Sequence, residues 1–183
     1  MKLHKKLIDI FYKSATGSRR VRTLLTPIGA FFFFTFIMLV VVISLYVDKF
    51  LKFPKVLPAL LNVFVSGPIS AIGLFLILWS NYHFIKVRGT PVPFNPPPKL
   101  VTTGPYAYIR NPMLSGVFIL LFGVGILFNS VSLIFIFTPL FILVNILELK
   151  TVEEPELEKR LGKEYSEYKK RTHMFIPRKV NSQ

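Results

Sequence analysis

The stretch LVTTGPYAYIRNPMLSG, residues 100–116, brings polar and rigid residues to the start of a long apolar run. Asn111 is a favoured N-cap residue and Pro112 is well tolerated at the first helical position, so we expect a helix to begin here. A helix start presents unpaired backbone amides and partial positive charge, which suit a carboxylate. Arg110 and Tyr106 lie just before it. They are candidate binding residues, although either residue type also anchors helices at a membrane interface.

A pair of carboxylates, Glu153 and Glu154, follows the apolar part of the chain. Carboxylates can bind ammonium or hydroxyl groups, and a glutamate can take a proton from a reacting amine or hydroxyl. The structural alternative is a favourable placement of acidic residues in a first helical turn. Because carboxylates close to lipid are costly without partners, we expect the pair to face a cytosolic pocket opposite Arg110.

The segments that position these residues are mostly apolar. The 183 residues are 52% hydrophobic, yet Lys and Arg number 23 against 9 Asp and Glu. Basic charge alone would suit a nucleic-acid-binding protein, but that class does not explain the uncharged runs at 27–47, 56–79 and 111–147. A bilayer core of roughly 30 Å needs about 20 such residues per helix. The sequence therefore predicts an integral membrane protein with membrane lipids, and no nucleic acid, as partners.

The last apolar run, 111–147, would measure roughly 55 Å as one helix at about 1.5 Å per residue, which is too long for a single crossing. Asn129 and Ser130 are its clearest polar break, so we expect a tight helical hairpin there, with arms of about 18 residues. The predicted fold is all-α and polytopic, with four transmembrane helices. The first region, 1–85, holds a basic arm and two of these helices, and the second is 86–183.

The basic residues favour one orientation in the membrane. With both termini in the cytoplasm, 20 of the 23 Lys and Arg residues lie on the cytoplasmic side, as the positive-inside bias expects. Residues 100–116 then face the cytosol. No secretory signal is visible in the basic arm 1–22. Its apolar residues recur at helical spacing, which suits a helix on an anionic membrane surface or a simple topology anchor.

A proline-rich connector, KVRGTPVPFNPPP at 86–98, precedes the first motif. Proline fixes φ and lacks a backbone donor, so the connector is expected to be extended and rigid. It would form a wall beside the membrane helices, and a mere spacer is the alternative.

The tail from Glu148 follows the last apolar run directly, and seven of the nine acidic residues lie between 148 and 167. An apolar stripe at helical spacing predicts that the tail forms one amphipathic helix on the cytosolic face. The stripe consists of Leu157, Leu161, Tyr165 and Tyr168.

Two spaced blocks of the chain resemble the integral-membrane methyltransferases that include isoprenylcysteine carboxyl methyltransferase and the phospholipid methyltransferases. The family's first block is approximately L-V-T-x-G-x-Y-x-x-x-R-H-P-x-Y-x-G, where this chain has LVTTGPYAYIRNPMLSG. The second is E-E-x-x-L-x-x-x-F-G-x-x-Y-x-x-Y, where it has EEPELEKRLGKEYSEY. The resemblance covers roughly residues 86 to 178 and implies that 86–183 is the catalytic region.

The resemblance implies methyl transfer from S-adenosylmethionine to a lipophilic or lipid-modified acceptor. The cofactor would lie in a cytosolic pocket formed by the connector, the hairpin ends and the tail helix. In agreement, the chain has no strand–GxGxxG–helix fingerprint of a soluble dinucleotide-binding domain. Carried over position by position, the family's cofactor contacts are Pro98, Lys99, Leu100, Val101, Tyr106, Asn111, Pro112, Met113, Leu114 and Glu153.

Arg110 and Glu154 are the candidate catalytic residues that handle the acceptor. An arginine would orient an acidic acceptor, and a glutamate could remove a proton from an amine or hydroxyl. The methyl donor is already activated as a sulfonium, so the protein mainly has to align the acceptor with the methyl group and exclude water.

Three positions depart from the family pattern and affect the choice of acceptor. Asn111 replaces the frequent histidine and cannot titrate near neutrality, and Leu114 replaces a tyrosine. The prenylcysteine enzymes carry a substrate-binding arginine four residues before the first glutamate, where this chain has Leu149, with Glu148 and Lys150 beside it. We expect an isoprenylcysteine-type carboxylate as acceptor, with a phospholipid amine as the alternative.

A non-enzymatic membrane scaffold or transport subunit is the competing class, in which the motif residues would be caps and anchors only. The apolar runs carry no charged residue that could form a transport pathway. Cysteine is absent, which excludes disulfides and thiolate ligands, and no metal site is expected.

Overall fold

The computed structural model describes residues 2–87, 89–90, 97 and 99–177. Within these ranges the chain forms helices and turns and has no β-strand, which confirms the predicted all-α class. The helices are α1 (Lys2–Thr16), α2 (Arg19–Leu51), α3 (Ala59–Lys86), α4 (Pro112–Leu127), α5 (Thr138–Glu148), α6 (Glu154–Leu161) and α7 (Lys163–Arg171). A 3₁₀ turn spans Gly104–Ala107, and π-helical segments span Leu133–Phe137 and Leu149–Glu153.

Three helices in the described ranges are long and apolar enough to cross a membrane, namely Thr23–Leu51, Leu60–Lys86 and Leu133–Leu161. α4 is also apolar, but it has only 16 residues. At about 1.5 Å per residue it measures about 24 Å, which is less than a hydrocarbon core of roughly 30 Å. Length therefore supports three crossings, and the crossing by α4 stays a prediction.

The helical hairpin lies where the sequence predicts it. α4 ends at Leu127, and Asn129 adopts the left-handed conformation with φ 54°. The chain is helical again from residue 131. Because asparagine tolerates this conformation better than most residues, a single polar position can reverse the chain between two apolar helices.

The hairpin tip is tied to the other helices at the end of the bundle opposite to residues 100–116. The Asn129 side chain donates a hydrogen bond to the Leu57 carbonyl oxygen at 2.6 Å. Asp48 on α2 accepts a bond of 2.8 Å from the backbone amide of Ser132 and another from the Ser130 hydroxyl. The Asp48 carboxylate therefore caps the start of the helix that follows the hairpin.

α3 and α4 approach each other closely through small residues. A Cβ atom added to Gly73 would lie 2.7 Å from the carbonyl oxygen of Gly116, and one added to Gly116 would lie equally close to that of Gly73. A side chain at Gly123 would collide with the Ser70 hydroxyl. Between helices in lipid, such small residues permit the dispersion contacts that drive association.

The protein core lies between α4, α5 and the first π-helical segment, and α2 covers it. Its buried residues are Val117, Phe118, Leu121, Leu133 and Phe141. Phe33 of the Phe31–Phe34 run packs against this cluster, whereas the other three phenylalanines are largely exposed. The exposed rings on the α2 surface suit contact with lipid.

The C-terminal part differs from the prediction. Residues 131–161 form one continuous helix, in which the two π-helical segments alternate with α-helix. The expected single amphipathic tail helix is wrong, because Gly162 separates α6 from α7 with φ 59° and ψ −129°. Residues with a side chain rarely adopt this conformation, so the helix ends at the glycine. The four residues of the predicted stripe are divided between the two helices.

α1 packs against α6, at the end of the bundle where residues 100–116 lie. The Lys159 ammonium binds the Asp9 carboxylate at 2.8 Å and lies 4.5 Å from the centroid of the Tyr12 ring. The N-terminal helix and the tail therefore occupy the same end of the bundle. Their location in the cytoplasm stays a prediction.

Single-cysteine labelling tests the topology, because the chain has no cysteine of its own. Lys13 in α1, Lys55 between α2 and α3, and Glu167 in α7 are exposed positions. We expect cysteines at Lys13 and Glu167 to react with an impermeant maleimide from the cytoplasmic side, and a cysteine at Lys55 from the other side only. Labelling of Lys13→Cys and Glu167→Cys from opposite sides would contradict four crossings.

Replacement of Gly116 by valine tests the contact between α3 and α4. The branched side chain has to displace the α3 backbone, so we expect a loss of about 1–3 kcal/mol in stability, seen as a lower thermal midpoint in detergent. Gly67→Val is the matched control, since a Cβ atom at Gly67 on α3 meets nothing within 4 Å. Equal destabilisation of the two variants would show that the close contact is not responsible.

Candidate functional site

A cavity opens at the end of the bundle that carries residues 100–116. It contains about 860 Å³ of atom-free space, part of which is open to solvent. Its walls come from α1, the end of α3, the chain up to the start of α4, the continuous helix and α7. The predicted stripe from Leu157 to Tyr168 lines this cavity although it is divided between two helices.

The structure places most of the predicted cofactor-binding residues at the cavity. The lining includes Lys99, Leu100, Val101, Tyr106, Asn111 and Glu153. Pro112, Met113 and Leu114 are not part of it; Pro112 is buried in the first turn of α4, and Leu114 packs against the core. Pro98 lies outside the described residues, as does most of the proline-rich connector. The cofactor contacts of these residues stay predictions.

Tyr106 forms a rigid part of the cavity wall. Its ring is 5% exposed and packs edge to face on Phe84, with ring centroids 5.1 Å apart. Its carbonyl oxygen accepts a bond of 2.7 Å from the Tyr168 hydroxyl. Burial raises the pKa of both tyrosines far above the ordinary value, so both hydroxyls stay protonated.

Arg110 and Glu154 form a buried ion pair. Arg110 Nη2 lies 2.6 Å from Glu154 Oε1, and the two side chains are 11% and 6% exposed. Arg110 Nη1 donates to the carbonyl oxygens of Lys169 at 3.0 Å and Thr172 at 2.7 Å. The Lys169 ammonium binds the second carboxylate oxygen of Glu154 at 2.7 Å. The guanidinium therefore caps the C-terminal end of α7 and joins it to the continuous helix.

This geometry favours a positioning role for the pair over direct contact with an acceptor. Glu154 does not line the cavity, and both of its oxygens already accept charged hydrogen bonds. Arg110 does line the cavity, but only its Nε atom lacks a partner in the described chain. The catalytic role of the two residues stays a prediction, which a single substitution can test.

Asn111 occupies the N-cap position of α4, as predicted, but its side chain does not cap the helix. Its backbone carbonyl accepts the first helical bond, from the Ser115 amide at 3.0 Å. The side-chain amide lines the cavity and makes no hydrogen bond to a described residue. It is therefore available to a ligand.

The chain after α7 contacts the start of α4, which no pattern in the sequence predicted. The backbone amides of Arg110 and Asn111 donate to the carbonyl oxygens of His173 at 2.8 Å and Met174 at 3.1 Å. The Phe175 ring packs on Phe118 of the core, with centroids 5.4 Å apart. The aromatic residue was the only signal in the sequence, because backbone hydrogen bonds leave no pattern in side-chain type.

Two carboxylates in the cavity wall have no partner among the described residues. Glu148 and Glu153 are half-buried and line the cavity, and neither makes a hydrogen bond or ion pair within the described chain. Glu156 differs, since it binds Arg160 at 2.8 Å. The Arg160 guanidinium also donates to the Pro97 carbonyl oxygen at 3.1 Å, which joins the connector to α6.

The fold and the cavity define a helical membrane protein with a site at one end of its bundle that is lined by both glutamates and basic residues. A family model for phospholipid methyltransferases matches residues 61–164, which is more than half of the chain. The chain belongs to this family of membrane-bound methyltransferases, within the isoprenylcysteine and phospholipid methyltransferase group, and this confirms the resemblance. Such enzymes generally use S-adenosylmethionine. No curated protein and no solved structure matches the chain.

Replacement of Arg110 by lysine tests whether this residue positions α7 or contacts the acceptor. Lysine keeps the charge, but its single nitrogen lacks the reach of the two guanidinium nitrogens that bind the carboxylate and the two carbonyl oxygens, so α7 should be held less firmly. We expect a loss of about 1.5–3 kcal/mol in stability, measured by thermal unfolding in detergent. Arg171→Lys, at an exposed position in the same helix, is the control. Unchanged stability with strongly reduced methyl transfer would instead support the predicted contact with the acceptor.

Proposed function

We propose that this protein transfers a methyl group from S-adenosylmethionine to the amine nitrogen of a phospholipid headgroup. The pairing of charges in the cavity carries this proposal. Arg110 and Arg160 are already held in ion pairs, whereas the carboxylates of Glu148 and Glu153 have no partner in the described chain. Unpaired carboxylates attract an amine or ammonium group and disfavour an acidic acceptor.

The isoprenylcysteine-type carboxylate that we expected first has less support. The arginine of the prenylcysteine enzymes corresponds here to Leu149, which is 1% exposed and does not line the cavity. Lys150 is exposed and is not a lining residue either. No basic side chain therefore replaces that arginine within residues 148–150, and the cavity next to them is acidic.

The lining residues fit S-adenosylmethionine. The Glu153 carboxylate suits the ribose hydroxyls or the ammonium group, and the Lys99 ammonium and the Asn111 amide suit the carboxylate. Leu100 and Val101 form an apolar part of the cavity wall. When bound, the cofactor supplies a methyl group activated on a sulfonium sulfur. The task left to the chain is to align an acceptor with that methyl group and to exclude water.

Methyl transfer by the purified protein in mixed micelles tests the function. With radiolabelled S-adenosylmethionine, we expect label in phosphatidylethanolamine and little in S-farnesylcysteine, because the unpaired carboxylates favour the amine. Protein without cofactor and heat-inactivated protein are the controls.

Label in S-farnesylcysteine alone would contradict the proposed amine acceptor. It would support instead the isoprenylcysteine-type carboxylate that the resemblance led us to expect. Absence of S-adenosylmethionine binding at millimolar concentration, measured by calorimetry on folded protein, would contradict the enzyme itself and favour the non-enzymatic scaffold.

A further inference from the structure

The segment Leu149–Glu153 is a single π-helical turn inside the continuous helix. The backbone amide of Glu154 donates to the Leu149 carbonyl oxygen, which is the i→i+5 bond of this geometry. In an α-helix, positions 148 and 153 would lie about 140° apart around the axis, at about 100° per residue. The wider turn brings Glu148 and Glu153 onto one face, and both line the cavity.

The residues within the π-helical turn differ in their burial. Leu149 and Val152 are buried in the protein, and Lys150 and Thr151 are exposed. The turn therefore keeps the apolar side chains in the core while it directs two carboxylates into the cavity. Isolated π-helical turns of this kind occur frequently at functional sites.

Glu148 lacks the compensation that a half-buried carboxylate normally has. Withdrawal of a carboxylate from water is costly unless hydrogen bonds or an opposite charge replace its hydration. Glu156 has Arg160, and Glu154 has Arg110. For Glu148 the described chain offers neither, so a cationic or hydrogen-bond-donating ligand is the compensation that suits it.

The two carboxylates differ in their distance from the membrane-spanning part of the helix. Glu148 is the last residue of the apolar α5, and Glu153 lies roughly 7 Å farther along the axis at about 1.5 Å per residue. A lipid headgroup that enters from the leaflet meets Glu148 first. A soluble cofactor that approaches from the α6 side would meet Glu153 first.

We propose that Glu148 is the catalytic carboxylate on the acceptor side, which binds the headgroup amine and accepts its proton. This inference rests on the proposed function. The amine nitrogen is a nucleophile only after it gives its proton to Glu148. It then forms a bond to the methyl carbon while the bond from carbon to sulfur breaks. That electron pair stays on sulfur, which becomes neutral, and the positive charge passes to nitrogen.

Four glutamate variants separate the acceptor side from the cofactor side. Glu148→Gln removes the base, Glu148→Asp keeps the charge on a shorter side chain, and Glu153→Gln removes the carboxylate assigned to the cofactor. Glu167→Gln is the matched control, because Glu167 is exposed and does not line the cavity. For each variant, calorimetry gives the Kd for S-adenosylmethionine. Initial rates with phosphatidylethanolamine at saturating cofactor give kcat and KM.

We expect Glu148→Gln to bind the cofactor within about twofold of the wild type and to lose kcat by about 100-fold, the scale of a lost general base. Glu148→Asp should retain more activity than Glu148→Gln. Glu153→Gln should show the opposite pattern, with a Kd about tenfold higher or more. Glu167→Gln should match the wild type in every constant.

Wild-type turnover in Glu148→Gln would overturn the assignment of Glu148 and leave the proposed function intact. A tenfold loss of cofactor affinity in that variant would also overturn it, because Glu148 would then lie on the cofactor side. If Glu148→Gln does not fold, Glu148→Ala decides, since it also removes the base and unchanged kcat in that variant overturns the role. Wild-type protein that labels only S-farnesylcysteine would instead overturn the proposed acceptor.

Discussion

The ion pair of Arg110 and Glu154 joins the two blocks of the sequence that resemble the family motifs, and the site depends on it. Withdrawal of both charges from water costs several kcal/mol per ion, so the pair persists only where further hydrogen bonds compensate. The carbonyl oxygens at the end of α7 and the Lys169 ammonium provide them. Movement of α7 or of the start of α4 would leave a buried charge unpaired. The cost of that separation holds the walls of the cavity together.

The described cavity wall carries as many glutamates as basic residues, whereas the chain as a whole is strongly basic. The protein has a formal net charge of +14, and most of its basic residues lie in the terminal segments and connections. Among the described lining residues, Arg110 and Arg160 are neutralised by glutamates, and the carboxylates of Glu148 and Glu153 remain together with the Lys99 ammonium. In the proposed function, selectivity for an acceptor would be set by which charged groups are left unpaired, and composition does not reveal it. A basic surface can face anionic lipid while the site prefers an amine.

The sequence predicted the features that depend on side-chain type and regular periodicity. These include the all-α class, the reversal at Asn129, the helix start at Pro112 and the proximity of Arg110 to the glutamate pair. It did not predict the π-helical turn, because apolar periodicity assumes a constant 3.6 residues per turn. Glu148 was therefore not recognised as a lining residue. Glycine often ends a helix, so Gly162 could have predicted the break between α6 and α7. The apolar spacing continues across Gly162, and it favoured a single helix instead. Residues 173–175 lie against the start of α4 because of backbone hydrogen bonds. Patterns of side-chain type do not predict such bonds.

If α4 crosses the bilayer as predicted, its length affects the lipid around the site. A 16-residue helix that crosses the bilayer is about 6 Å shorter than a hydrocarbon core of roughly 30 Å. Hydrophobic mismatch of this kind is relieved when the adjacent leaflet becomes thinner, at a cost of fractions of a kcal/mol per Å. Headgroups beside α4 would then sit deeper than those elsewhere in the membrane. The protein would bring its substrate to the cavity by deforming the bilayer, and its turnover would depend on acyl-chain length.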